Sequence, residues 1–149
     1  PKLSSTTTVS VCVSVLAPLI DCIRPIEGVK AVRDATRGGV NAVLHEFAQA
    51  QKVGIQIDET VLPIRQEVRG ICELLGLDAL NFANEGKLVI VADKEKTAEI
   101  LTALRSHPLG ENAAVIGEVT TDGKVRAVGL FGQSRLLDLP RNEPLPRIC

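Results

Sequence analysis

The sequence predicts an α+β fold, a mixed β-sheet layered with α-helices, and three observations carry that expectation. Apolar runs of strand length alternate with segments of helical period through most of the chain. "GKLVIVAD" (86–93) is a continuous apolar run of the kind found in central strands. Towards the end, "AAVIGEVTTDGKVRAVGLF" (113–131) sets Asp122 and Gly123 between two β-rich runs, which reads as a tight hairpin.

Each element follows from its local pattern. "TVSVCVSV" alternates Val9, Val11, Val13 and Val15 with Ser10, Cys12 and Ser14, the period of a strand with one buried face. "APLIDCI" is a short turn or helix ended by Pro25. "GVKAVRDATRGG" runs from a short strand into a glycine-closed turn, after which Val40, Val43, Leu44 and Phe47 share one face of a helix over 40–51. "GIQIDE" is another strand. Ile64, Val68, Ile71 and Leu75 recur at helical spacing, Gly76 is a fitting stop, and Cys72 is expected to pack inside. "KEKTAEILTALRSHP" is an amphipathic helix closed by Pro108. A short piece, "SRLLDL", leads to the end.

With 149 residues, 45% of them hydrophobic, the chain has material for one core. Residues 1–139 are expected to form a single domain. Pro140, Pro144 and Pro146 block regular structure, so 140–149 is expected to be an extended flexible tail. Stretched at roughly 3.3 Å per residue, such a tail reaches on the order of 30 Å. The chain begins with Pro1 rather than Met, which points to a fragment.

The charge balance, 17 Lys plus Arg against 18 Asp plus Glu, gives no electrostatic footprint for nucleic acid or a membrane surface. Aromatic residues are only 2%, too few for base-stacking platforms. No apolar stretch approaches the roughly 18 residues of a membrane span, and no signal segment opens the chain, so a cytoplasmic protein is expected. Cys12, Cys22, Cys72 and Cys149 form no CxxC pair, which argues against a zinc site and for free thiols in a reducing compartment. His45 and His107 lack the partners of a metal site, so no metal ligand is assigned.

Three stretches carry possible chemistry. "RDATRGG" gathers two arginines, an aspartate, a threonine and two glycines just before a helix, where backbone N–H groups and the helix dipole favour phosphate. Its plainer reading is a helix start with Thr36 as cap and Arg33 and Asp34 on the surface. "FANEGKLVIV" places Asn84, Glu85 and Gly86 at the mouth of a buried strand, where a carboxylate can act as a general base; the same tripeptide is also ordinary turn chemistry. The chain ends "EPLPRIC", so Cys149 is either a chance end or a thiol handle on a flexible arm. A prenylation signal would set its cysteine four from the end and does not fit.

Taken together, "RDATRGG" with "LHEFA", "CELLGLDALNFANEGKLVIVAD" and the terminal "LPRIC" resemble the C-terminal half of the HypE family of hydrogenase maturation factors, over essentially the whole chain. The first motif is shared across the aminoimidazole ribonucleotide synthetase superfamily, including selenophosphate synthetase and thiamine-monophosphate kinase. The Pro-Arg-Ile-Cys ending selects the member. The resemblance implies a synthetase-type C-terminal domain and an ATP-dependent carbamoyl dehydratase. In that family the terminal cysteine receives a carbamoyl group from a carbamoyltransferase. ATP then drives its dehydration to a thiocyanate, and iron-carrying scaffold proteins take the cyanide for nickel–iron hydrogenase.

By the same resemblance Cys149 is the modified residue and Glu85 the proton-handling carboxylate. Thr36, Arg37, Gly38, Gly39 and Asn84 form the wall facing the triphosphate. ATP and Mg2+ are implied, with most of their ligands and the homodimer contacts in an N-terminal domain, so this piece alone is expected to be inactive. The alternatives are a non-catalytic thiol carrier and docking module, or the matching domain of another ATP-using relative. Three positions depart from the family pattern: Ala35 stands where proline is usual, His45 where asparagine is common, and no aspartate precedes Ala17-Pro18-Leu19.

Overall fold

The computed structural model describes residues 7–13 and 16–139. In chain order its elements are β1 (Thr7–Val13), α1 (Leu16–Ile23), β2 (Val29–Asp34), α2 (Gly39–Gln51), β3 (Gly54–Asp58), α3 (Gln66–Leu75), β4 (Lys87–Asp93), α4 (Thr97–Arg105), β5 (Ala114–Thr120), β6 (Val125–Val128) and β7 (Ser134–Leu136). The strands form one sheet in the order β2-β4-β1-β5-β3-β6-β7. All pairings are antiparallel except β3 with β6, so the sheet is mixed, as expected.

Helices cover both faces. On one side α2 sends Val40, Val43, Leu44 and Phe47 onto Val9, Ile55, Ile57, Val89, Val91 and Ile116, which bears out the apolar stripe read for that helix. On the other, Leu19 and Ile23 of α1 and Ile100 and Leu104 of α4 close over Leu88, Ile90 and Ala92. β4 is therefore buried on both faces, which is why its sequence is apolar without alternation. The same layering corrects the reading of β1. Its polar side chains do not face solvent: Thr8 and Ser10 are buried, and the Thr8 hydroxyl lies 2.5 Å from that of Thr97.

The expected hairpin at Asp122–Gly123 is not one. β5 and β6 are separated by β3, which enters between them and pairs antiparallel with the first and parallel with the second. Turn chemistry is present: Asp122 Oδ1 accepts from the Thr120 hydroxyl (2.6 Å) and from the Lys124 amide (3.3 Å). It closes an arch over β3 rather than a two-strand turn. The arch passes directly over Gly54, and the Ile55 amide donates to Lys124 O at 2.9 Å. A Cβ on Gly54 would overlap Thr120 and Asp122 and lie 2.8 Å from Lys124 O. Gly54→Ala is accordingly expected to cost about 2–3 kcal/mol in denaturant unfolding. A loss below about 0.5 kcal/mol, within the range of neutral surface changes, would show that the arch yields freely.

α3 departs from expectation in a second way. Cys72 is buried as read, but Val68, Ile71 and Leu75 are exposed, Ile71 by 58% and Leu75 by 61%. The periodic apolar face is not a core face here, because the helix lies beyond the sheet. Arg69 ties it to the preceding segment, its Nη2 donating to Glu59 O and Leu62 O, both at 3.1 Å. Gly76 does end it, in the left-handed conformation at φ 65°.

Candidate functional site

The pairing of β2 with β4 brings the two internal motifs together. After Asp34 pairs with Leu88, the ladder continues into the loops: the Ala35 amide donates to Lys87 O and the Asn84 amide to Ala35 O, both at 3.0 Å. "RDATRGG" and "NEGK" thus run side by side at one end of the sheet. Ala35 is fully buried in the α2-side core, Thr36 is half-buried, and Arg37 and Glu85 are exposed.

α2 begins at this junction. Its N-cap is Gly38 (φ 67°) and no side chain caps it, so Thr36 does not play the capping role that the plainer reading gave it. The first amides of α2 are left with unsatisfied donor capacity and a positive dipole end. Arg37 stands beside them and makes no salt bridge among the described residues, whereas Arg33 is drawn back to Glu46 of α2 at 2.9 Å. Gly39 (φ 66°) presses its backbone against the one-turn helix Ala79–Asn81 and the residue after it; a Cβ there would overlap Leu80 O and sit 2.5 Å from Phe82 O.

One residue of the junction was not singled out from the sequence. Lys87, the first residue of β4, is half-buried, and among the described residues no carboxylate lies within salt-bridge distance of it. Oriented to satisfy both its ends, the Asn84 amide donates to Glu85 O (3.0 Å) and accepts from Lys87 Nζ (3.3 Å). Burial lowers the Lys87 pKa from its ordinary value. Its only sequence signal is a charge opening an apolar strand.

That shift has a stability sign. The ammonium is disfavoured in the folded state, so the penalty is present at neutral pH and is relieved as pH rises through the lowered folded value towards roughly 10.4, the unfolded one. Solvent screens part of it because the group is only half-buried. Lys87→Met is expected to raise the melting temperature at pH 7 by about one or two degrees, with the gain shrinking on the alkaline side. A variant that melts lower at pH 7 would show the ammonium to be well satisfied in place.

The last described residues are bonded to β6 and to α2. Leu137 is 3% exposed and its amide donates to Val125 O at 2.9 Å. His45 Nε2 lies 2.7 Å from Leu137 O, and Asn41 Nδ2 donates to Asp138 O at 2.9 Å. The tail reading and Cys149 lie outside the described residues. Of the remaining site residues, the structure gathers Thr36, Arg37, Gly38, Gly39, Asn84 and Glu85 at one end of the sheet. Among the described residues no group of three or more His, Cys, Asp or Glu is arranged to hold a metal ion, and no helix is long and apolar enough to cross a membrane.

A mixed sheet layered by helices, with a glycine-opened helix start at one end, defines the class. The chain belongs to the family of AIR synthase related proteins as their C-terminal domain, whose model matches residues 14–129. Within that family it is similar to carbamoyl dehydratase HypE of Escherichia coli (strain K12), 62% identical over 136 residues that make up 91% of this chain and 40% of the relative. It therefore spans about 40% of the length of that curated relative. The crystal structure of E. coli HypE superposes on it with a TM-score of 0.92 at 52% identity, covering 99% of this chain and 53% of that one. Two further structures align closely. A HypE–HypF complex does so with a TM-score of 0.88 at 31% identity, over 93% of this chain and 54% of the other. HypE in complex with ATP gives 0.85 at 27%, over 96% and 53%.

Proposed function

We propose that this chain is the tail-bearing domain of an ATP-dependent carbamoyl dehydratase that makes a thiocyanate on its own terminal cysteine. In this reading residues 1–139 form the body and 140–149 an arm carrying Cys149. The observation that carries it is the junction of the α2 start with the Asn84–Glu85 loop, together with the bond from Asn41, in the first turn of α2, to Asp138 O near the end of the described chain. Similarity to HypE, including a structure holding ATP, supports it.

The residues present fit a polyphosphate. Uncapped amides of α2, the exposed Arg37 and the half-buried Lys87 all favour negative charge. ATP supplies the phosphoryl group that turns the thiocarbamate oxygen into a leaving group. Cys149 Sγ holds the carbamoyl carbon throughout. The first nitrogen proton is lost as the oxygen is phosphorylated; Glu85 takes the second as phosphate departs, and the C≡N bond closes. Thr36 and Asn84 contribute hydrogen bonds along the same wall. Mg2+ belongs with the triphosphate. A carbamoyltransferase loads the thiol, a partnership consistent with the HypE–HypF complex; iron-carrying scaffold proteins receive the cyanide, and the full-length protein works as a homodimer.

Mass spectrometry of the C-terminal peptide tests the reading. Exposure of the full-length protein to the carbamoyltransferase and its substrates is expected to add one carbamoyl group to Cys149, and ATP then to remove one water. No gain on Cys149 would overturn the proposal. A gain that ATP leaves unchanged would make the domain a carrier rather than part of a catalyst.

A further inference from the structure

α3 is the least anchored helix of the fold. Of its ten residues only Cys72 is buried, whereas α2 buries seven of thirteen. Val68, Ile71, Leu74 and Leu75 are all exposed. Among the described residues its side chains are bonded to the rest of the molecule only through Arg69, to Glu59 O and Leu62 O. A groove of about 400 Å³ runs between helix and body, lined by Leu62, Ile64, Cys72, Leu77, Leu80 and Arg135. Gly70 weakens the helix further. A methyl on it would meet nothing within 4 Å, so no close approach calls for glycine there, and glycine inside a helix lowers its stability about fivefold relative to alanine. Ten residues are also too few to stay helical in water without tertiary support.

The segment leaves the body at Leu62 and returns at Leu80, both buried in the α2-side core. One guanidinium spans this neck. Arg135, on β7, donates through Nη2 to Glu59 Oε1 (2.5 Å) and to Asp78 Oδ2 (2.7 Å), and through Nε to Glu59 Oε1 again (3.0 Å). Glu59 is the residue whose carbonyl holds Arg69, so Arg135 fixes the footing of α3 on one side and its return on the other. Past the neck the chain is secured independently: Asp78 Oδ1 accepts from the Leu80 amide at 2.9 Å, and Asn41 Nδ2 donates to Asn81 Oδ1 at 2.8 Å. What lies between the anchors has few ties of its own.

We propose that residues 63–77 unfold locally as a unit while the rest of the fold stays intact, and that Arg135 is the latch that sets how often they do. Segments with few buried apolar contacts occupy the low end of local stability, and α3 is such a segment. The latch is ionic and partly exposed, so added salt loosens it. Each opening uncovers the groove and the Cys72 thiol. None of this depends on the dehydratase reading.

Amide hydrogen exchange of the full-length protein, resolved by peptide, tests the proposal. In wild type the amides of α3 are expected to exchange at least about 100-fold faster than those of α2 and β4. Arg135→Ala is expected to speed exchange in α3 about tenfold, the worth of charged bonds that solvent partly screens. Gly70→Ala is expected to slow it about fivefold. Neither variant should alter β4, and labelling of Cys72 by a thiol reagent should change in the same ratios as α3. Wild-type exchange in α3 as slow as in β4 would overturn the proposal. So would equal acceleration of α3 and β4 by Arg135→Ala, or a Gly70→Ala helix that exchanges as wild type does. If Arg135→Ala fails to fold, salt decides: going from about 0.01 M to about 1 M shortens the screening length from roughly 30 Å to roughly 3 Å and should speed α3 exchange in wild type with β4 unchanged. Exchange in α3 that ignores salt would overturn the latch.

Discussion

Gly39→Ala is expected to be the most destabilising single-methyl change at the junction, at about 3–5 kcal/mol. A left-handed residue other than glycine costs roughly 1–2 kcal/mol from its own backbone. The remainder comes from what the methyl would meet: Leu80 O, and Phe82 O at 2.5 Å, both backbone atoms that cannot rotate aside. Relief requires moving the turn at Ala79–Asn81, and that movement would also stretch the Asn41–Asn81 bond. Gly76 is the control. It has nearly the same φ, 65°, but a methyl added there would meet nothing within 4 Å, so Gly76→Ala should show only the backbone penalty. Equal denaturation midpoints for the two variants would remove the close-approach argument. The displaced turn should also weaken ATP binding by the full-length protein in the Gly39 variant alone.

Glu85→Gln in the full-length protein is expected to lower the rate of water loss from the carbamoylated tail by about 10²- to 10³-fold, the usual worth of a positioned general base. The substitution keeps shape and hydrogen-bonding capacity but cannot accept the proton. Glu85 is exposed and makes no salt bridge among the described residues, so stability should stay within about 0.5 kcal/mol of wild type. Carbamoyl transfer to Cys149 and ATP affinity should also be unchanged. A variant that turns over at the parental rate would move the base elsewhere. One that cannot be carbamoylated would assign Glu85 to docking of the transferase instead.

Much of this architecture was legible from local patterns, and what escaped them was long-range. Val40, Val43, Leu44 and Phe47 announce α2 because a helix facing a sheet needs that spacing, and the unbroken run Leu88–Ala92 announces a strand covered on both sides. The insertion of β3 between β5 and β6 leaves no such trace, since Asp122-Gly123 serves a hairpin and an arch equally well. The exposed face of α3 has helical period, but periodicity says nothing of what, if anything, covers it. Site residues divide along the same line. Arg37, the two glycines and Glu85 are visible as motif residues, and their proximity depends on the β2–β4 register. Lys87 and Asn41 matter only because of that register and of where the chain departs, so neither carries a signature of its own.

The arch over Gly54 also constrains the order of assembly. Both neighbours of β3 are made more than fifty residues after it, so during synthesis that strand waits with two unpaired edges until the ribosome has delivered the chain through Val128. Nascent chains halted before that point are expected to be the ones that recruit chaperones. Rapid closure of the clasp once 120–128 emerge would then decide whether the protein partitions to the native state or to aggregates.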